Sequence, residues 1–138
     1  MNIDKKYYQE INENLTNTIQ DTNISAPNKK VGKVRDAYFL NDKVVMISTD
    51  RQSAFDRVLA AIPYKGAVLN SVSAWWFKKT EHLFPNHLIS TPDPNVSIVE
   101  KCTVFPVEFV VRGYITGTTD TSLWTVYNNG DREYCGNS

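Results

Sequence analysis

The sequence predicts an α+β fold, a mostly antiparallel β-sheet with helices packed on it. Three observations predict it. Two β-rich runs, "VGKVRDAYFL" and "KVVMIS", flank Asn41-Asp42, a pair suited to a hairpin turn. Val68, Leu69, Val72, Trp75, Trp76 and Leu83 fall on a helical stripe that stops before Pro85. Val107, Phe109 and Val111 alternate with Glu108, Val110 and Arg112 at the two-residue period of a strand.

Along the chain, Ile3, Tyr7, Ile11, Leu15 and Ile19 recur every four residues, predicting an amphipathic helix over residues 3–20. "DTNISAPNKK" is polar, contains a proline and reads as a loop. The hairpin follows. "TDRQSAFDRVLAAIPYKG" reads as a loop mixed with a short helix, punctuated by Pro63 and Gly66. After the helix that begins near Ala67, "NHLI" and "VSIVEKCTV" read as strands separated by "TPDPN", whose prolines oppose regular structure. "PVEFVVRGYI" carries the strongest strand pattern of the chain. "TDTSLWTVYNNG" reads as a helix with Thr119 or Asp120 as N-cap and Gly130 just past its end.

Composition bounds the function. Hydrophobic residues make up 41% of the 138 and charged residues 22%, the usage of a globular domain. Lys plus Arg balances Asp plus Glu at 15 each, so no global field favours nucleic acid or anionic lipid, and any anion site must be local. Cys102 and Cys135 lack metal spacing and read as two unrelated reduced thiols, with one disulfide as the alternative. The opening residues contain no apolar signal segment, and "VLAAI" falls far short of the roughly 18 residues that span a membrane. A soluble, cytoplasmic protein is the expectation.

Four stretches could carry chemistry. "KKVGKVRD" sets Lys29, Lys30, Lys33 and Arg35 around Gly32; Lys33 and Arg35, two apart, would share one face of an extended segment and suit a polyphosphate. The plainer alternative is a solvated basic strand. "TDRQSAFDRV" crowds Asp50, Arg51, Ser53, Asp56 and Arg57 around Ala54-Phe55, as a ligand-contacting loop or as a helix capped by Ser53 with Phe55 in the core. "YKGAVLN" offers Lys65 and Gly66 before a helix, for an anion or simply for a turn. "VRGYITGT" gathers Arg112, Thr116 and Thr118 around Gly113 and Gly117, an anion cradle or a bulge beside a surface ion pair. His82 and His87 read as structural, and Trp75-Trp76 as core.

In combination these stretches are specific. "GKVRD", "DRQSAFD", "KGAVLN" ahead of a Trp-containing helix, and "PVEFVVRGYITGT" followed by "SLW" resemble the SAICAR synthetase family, the phosphoribosylaminoimidazole-succinocarboxamide synthases. The resemblance runs from about Gly32 to the C-terminus. It implies an ATP-dependent carbon–nitrogen ligase of purine biosynthesis, with a kinase-like or ATP-grasp-like N-terminal lobe. ATP would lie between that lobe and a C-terminal α/β lobe. Gly32, Lys33 and Arg35 match positions over the ATP phosphates, and Lys101, Cys102 and Val104 lie where adenine would rest. Arg112 and Thr118 match positions facing the ribonucleotide, while Ser53, Asp56 and Lys65 match motifs lining the substrate side. Thr118 stands where serine is common in the family and retains the hydroxyl.

The resemblance leaves the catalytic residues unassigned and puts the ligands of Mg2+, implied alongside ATP, outside this chain. The implied partners are carboxyaminoimidazole ribonucleotide and L-aspartate, with neither nucleic acid nor membrane. A homo-oligomer is the expectation where apolar surface is left uncovered. The expected organisation is a helix at 1–20, a sheet lobe at 31–113 and the start of a second lobe at 114–138. On that view the chain is an N-terminal fragment, inert or nearly so by itself. The alternative is a nucleotide- or RNA-binding module without catalysis, using Lys29–Arg35 and exposed aromatics. The zero net charge weighs against it.

Overall fold

A computed structural model describes residues 5–55, 57–107, 109, 111, 113–134 and 136. The chain divides into two compact units, residues 1–103 and 104–138.

The first unit is built on a five-stranded antiparallel sheet. Its strands are β1 (Lys29–Val31), β2 (Arg35–Phe39), β3 (Lys43–Ser48), β6 (Leu88–Asp93) and β7 (Val96–Glu100), ordered β1-β2-β3-β7-β6. The Asn41-Asp42 hairpin forms as predicted, with Phe39 opposite Val44 and Arg35 opposite Ser48. Alternation and register put Asp36, Tyr38 and Ile47 on one face of the sheet and Val44 and Val99 on the other, and Tyr38, Val44, Ile47 and Val99 make up the apolar core. That core is small, and Asp36, Ser48, Thr49, Asp50, Arg51, Asn70 and Ser97 are buried beside it.

Helix α1 (Lys5–Glu13) is shorter than the predicted 3–20. Asn14 closes it, its side-chain amide donating to the Glu10 carbonyl at 2.8 Å. Ile19 is then needed in another conformation, because its backbone N–H and C=O both bond Asp50.

The described residues of the "TDRQSAFDRV" stretch hold no helix. β4 (Arg51–Ala54) and β5 (Arg57–Ala61) form a separate two-stranded antiparallel sheet with a bulge between Gln52 and Ser53. Ser53 therefore pairs with Val58 and does not cap a helix. Phe55, at φ 48°, stands fully exposed at the hairpin tip, not in the core.

Helix α2 (Lys65–Thr80) packs on β3, β6 and β7. Its buried residues are Gly66 and Asn70, not the apolar stripe. Asn70 donates to the Pro94 carbonyl at 3.0 Å and accepts from the Ser97 hydroxyl at 2.7 Å. Trp75 and Trp76, expected in the core, are each 55% exposed and meet edge to face at 4.8 Å. His87 packs edge to face on Phe77, the structural role expected of it. The "TPDPN" stretch does not interrupt β6, which runs through Pro92 to Asp93. Pro92 is tolerated because β6 is an edge strand whose register against β7 shifts twice.

The second unit contains α3 (Leu123–Asn128). Its N-cap is Ser122, three residues beyond Thr119, and the Ser122 hydroxyl accepts the Thr125 N–H at 3.2 Å. Gly130 follows the helix with φ 99°. The described residues of the predicted strand 106–115 carry no strand; Val107, Phe109 and Val111 lie exposed. Alternation supplies strand propensity, but a ladder also needs a partner strand, and none is paired with these residues. Among the described residues no helix is long and apolar enough to cross a membrane.

Gly66 meets the end of β3 so closely that a Cβ there would lie 2.3 Å from the Ser48 carbonyl oxygen. Gly66→Ala is expected to cost about 1–3 kcal/mol through overpacking. Gly113→Ala, with nothing within 4 Å, should change little. Chemical denaturation of both variants checks the contrast.

Candidate functional site

The site grows from three consecutive buried residues, Thr49, Asp50 and Arg51, between β3 and β4. β3 is apolar and buried, so the chain leaves it inside the molecule, and the polar groups that follow must find partners there. Arg51 finds four. Its Nε donates to the Lys33 carbonyl at 3.2 Å, Nη1 to the Gln20 carbonyl at 2.7 Å, and Nη2 to both the Gly32 carbonyl at 3.0 Å and Asp36 Oδ1 at 2.7 Å. Thr49 bonds the Val34 carbonyl twice, through its N–H at 3.0 Å and its hydroxyl at 2.9 Å. Asp50 Oδ2 accepts the Ile19 N–H and Oδ1 the Gly66 N–H, both at 2.8 Å.

These contacts shape the glycine stretch. Gly32 donates its N–H to the Arg35 carbonyl at 2.7 Å, closing a tight turn with Lys33 and Val34 between. A Cβ at Gly32 would meet that carbonyl at 2.8 Å, so this turn favours glycine. Lys33 and Arg35 are therefore not two residues of one extended segment, as the spacing predicts. Lys33 sits on the turn and Arg35 opens β2; both are exposed.

Lys29 is committed elsewhere. Its ammonium donates to Asp21 Oδ1 at 2.8 Å, lies 3.2 Å from Asp36 Oδ2 and contacts the Thr22 carbonyl. Thr22 also donates its hydroxyl to Asp36 Oδ2 at 2.7 Å, and Tyr38 donates to the Thr22 carbonyl at 2.8 Å. Burial pushes the Asp36 carboxyl up, but hydrogen bonds from Arg51, Thr22 and Lys29 outweigh it and hold the group below its ordinary 3.8. The Asp21 hydrogen bond holds Lys29 above its ordinary 10.5, and Lys29 in turn lowers Asp21.

The remaining expected site residues are dispersed over both units. Ser53 is half-buried on β4. Lys65 opens α2 and donates to the Arg51 carbonyl at 3.0 Å, tying the hairpin to the helix. Lys101 donates its N–H to the Asp42 carbonyl. Cys102 is a free, exposed thiol, and Val104 is exposed as the first residue of the second unit. Thr118 lines a cavity of about 690 Å³ in the second unit, with Gly113, Gly117, Thr121, Ser122 and Tyr134. Asp56, Arg112 and Cys135 lie outside the described residues. Sequence reasoning assigned no role to Asp36 or Thr49, and read Asp50 and Arg51 as part of a ligand-contacting loop or a capped helix, not as a buried hub. The available signal was three polar residues directly after an apolar strand.

Fold and site define an α+β domain whose basic glycine turn is clamped onto a buried polar hub. The chain belongs to the SAICAR synthetase family, which matches residues 28–133. The phosphoribosylaminoimidazole-succinocarboxamide synthase of Legionella pneumophila (strain Lens) is 62% identical over 118 residues, 86% of this chain and 38% of the relative. The SAICAR synthase of Saccharomyces cerevisiae complexed with SAICAR superposes with a TM-score of 0.72 at 28% identity, covering 87% of this chain and 47% of that one. A type-2 SAICAR synthetase in complex with ADP gives 0.52 at 30%, covering 57% and 35%. The chain thus spans about a third to two fifths of the length of the curated relatives it matches.

Arg51→Ala would leave Asp36 charged, buried and without its main partner, and should cost about 3–5 kcal/mol. Because Asp36 is lowered in the folded state, its contribution is complete above pH 3.8 and is lost as pH falls below that value. Lys29, raised in the folded state, contributes fully below pH 10.5 and loses its contribution above it. Thermal melts from neutral to acid pH should show a shallower acid limb for Asp36→Asn than for the unaltered chain.

Proposed function

We propose that this chain is the nucleotide-binding, N-terminal part of a SAICAR synthetase. In this reading ATP phosphorylates the carboxylate of carboxyaminoimidazole ribonucleotide and ADP leaves. The amine of L-aspartate then attacks the acyl phosphate, forming the carbon–nitrogen bond as phosphate departs and the amine loses a proton. The observation that carries the reading is the family match across residues 28–133. The solved neighbours in complex with SAICAR and with ADP support the ligand classes.

Each group of residues has a task in this proposal. The Gly32 turn with Lys33 and Arg35 faces the ATP phosphates, where a flexible ammonium and a planar guanidinium suit charge spread over several oxygens. Lys101, Cys102 and Val104 border the adenine. Ser53, Asp56 and Lys65 line the substrate side, and Arg112 and Thr118 face the ribonucleotide. The kinase-like, ATP-grasp-like character of the lobe belongs to the same reading, supported by an antiparallel sheet with one helix packed on it. Cytoplasmic residence does too, and the exposed free thiol of Cys102 fits a reducing compartment.

Magnesium supplies charge neutralisation in phosphoryl transfer. Among the described residues no group of three His, Cys, Asp or Glu comes together to hold it. Both oxygens of Asp36 and of Asp50 already accept hydrogen bonds from the chain's own donors. In this reading the metal's ligands lie in the part of the family's length that this chain does not span.

The test is ADP release with magnesium-ATP, carboxyaminoimidazole ribonucleotide and L-aspartate, each omitted in turn, beside calorimetric ATP binding. The expected result is no release by this chain and ATP binding that Lys33→Ala plus Arg35→Ala weakens more than about tenfold, the loss of two charge-assisted contacts. Turnover by the isolated chain would refute the assignment as an inert part. Binding indifferent to both substitutions would refute the phosphate assignment.

A further inference from the structure

We infer that Arg51, assisted by Thr49, is a positioning residue for the nucleotide: it touches no phosphate but holds the turn that does. The inference rests on the reading that the Gly32–Arg35 turn faces the ATP phosphates. Its basis is the direction of three consecutive peptide groups. The carbonyls of Gly32 and Lys33 both accept from the Arg51 guanidinium, and the carbonyl of Val34 accepts twice from Thr49.

A trans peptide points its C=O and N–H in opposite directions. Drawing the Gly32 and Lys33 carbonyls inward therefore sends the N–H groups of Lys33 and Val34 away from the guanidinium. Successive N–H groups aimed to one side form the concave arrangement that binds anions. Lys33, on the same turn, adds a cationic side chain. The guanidinium is itself immobilised, because it is buried and anchored on Asp36 Oδ1 and on the Gln20 carbonyl. A planar fork can serve four acceptors at fixed angles, which an ammonium cannot. Arg51→Lys would thus keep the charge facing Asp36 and lose control of the turn.

Calorimetric ADP binding to the 138-residue chain, with folded fraction followed by circular dichroism, tests this with Lys33→Ala, Arg51→Lys and Thr49→Val. Thr49→Val removes the hydroxyl bond to Val34 and leaves the backbone bond, so it serves even if Arg51→Lys does not fold. The expected result is ADP affinity about tenfold weaker for Arg51→Lys and about threefold weaker for Thr49→Val, each measured on fully folded protein. Lys33→Ala should weaken it as well. If Lys33→Ala weakens binding while both other variants bind ADP like the unaltered chain, however destabilised, the positioning role is overturned and the phosphate reading stands. If Lys33→Ala binds normally, or the unaltered chain binds no ADP, the phosphate reading is overturned and the inference falls with it.

Discussion

The arginine at position 51 organises the first unit. Its guanidinium is buried, and a charge in that position survives only when its donors are matched. Asp36 supplies the opposite charge, and three carbonyls supply the remaining acceptors. Those carbonyls belong to the strap at Gln20 and to the glycine turn, segments far apart in the chain. One side chain thereby sets the course of the N-terminal segment, the shape of the turn between β1 and β2, and the point where β4 leaves the sheet. Asp50 extends the same arrangement to α2 by accepting the Gly66 N–H.

A hub of this kind is unusual for how little apolar burial accompanies it. Tyr38, Val44, Ile47 and Val99 are the buried large hydrophobes, while the outward side of α2 exposes Val68, Leu69, Val72, Trp75 and Trp76. Unpaired buried polar groups are costly, so polar networks of this sort favour one arrangement of the chain over its near alternatives. Every buried side-chain nitrogen and oxygen among the described residues has a partner. In this unit, specificity comes from hydrogen-bond geometry as much as from hydrophobic area.

The family motifs take on a physical meaning in this setting. Within "TDRQSAFD", the opening three residues serve the architecture and Ser53 sits on the hairpin beyond it. Within "GKVRD", Gly32 and Val34 are held through their carbonyls, Asp36 is the hub's anion, and Lys33 and Arg35 are exposed. A motif read as a set of ligand contacts is thus partly a set of contacts that hold the ligand-facing backbone in place.

Local pattern was enough for the hairpin at Asn41-Asp42, for α2 and for the family, because each depends on neighbouring residues or on residue order. It was not enough for "TDRQSAFDRV", where the preference of Ser53 for a helix cap yields to its strand pairing with Val58. Nor was it enough for α2's orientation: the helix is apolar on more than one side, and Gly66 bonded to Asp50, with Asn70 bonded to Pro94 and Ser97, decides which side turns in. The alternation at Val107, Phe109 and Val111 likewise carried propensity without a partner. The sequence by itself determined which segments favour helix, strand or turn, and to which family they belong, since both follow from residue type and order. Tertiary structure alone decided which polar residues are buried and which carbonyls they hold, because Arg51 meets Gln20, Gly32 and Asp36 only once the sheet has folded.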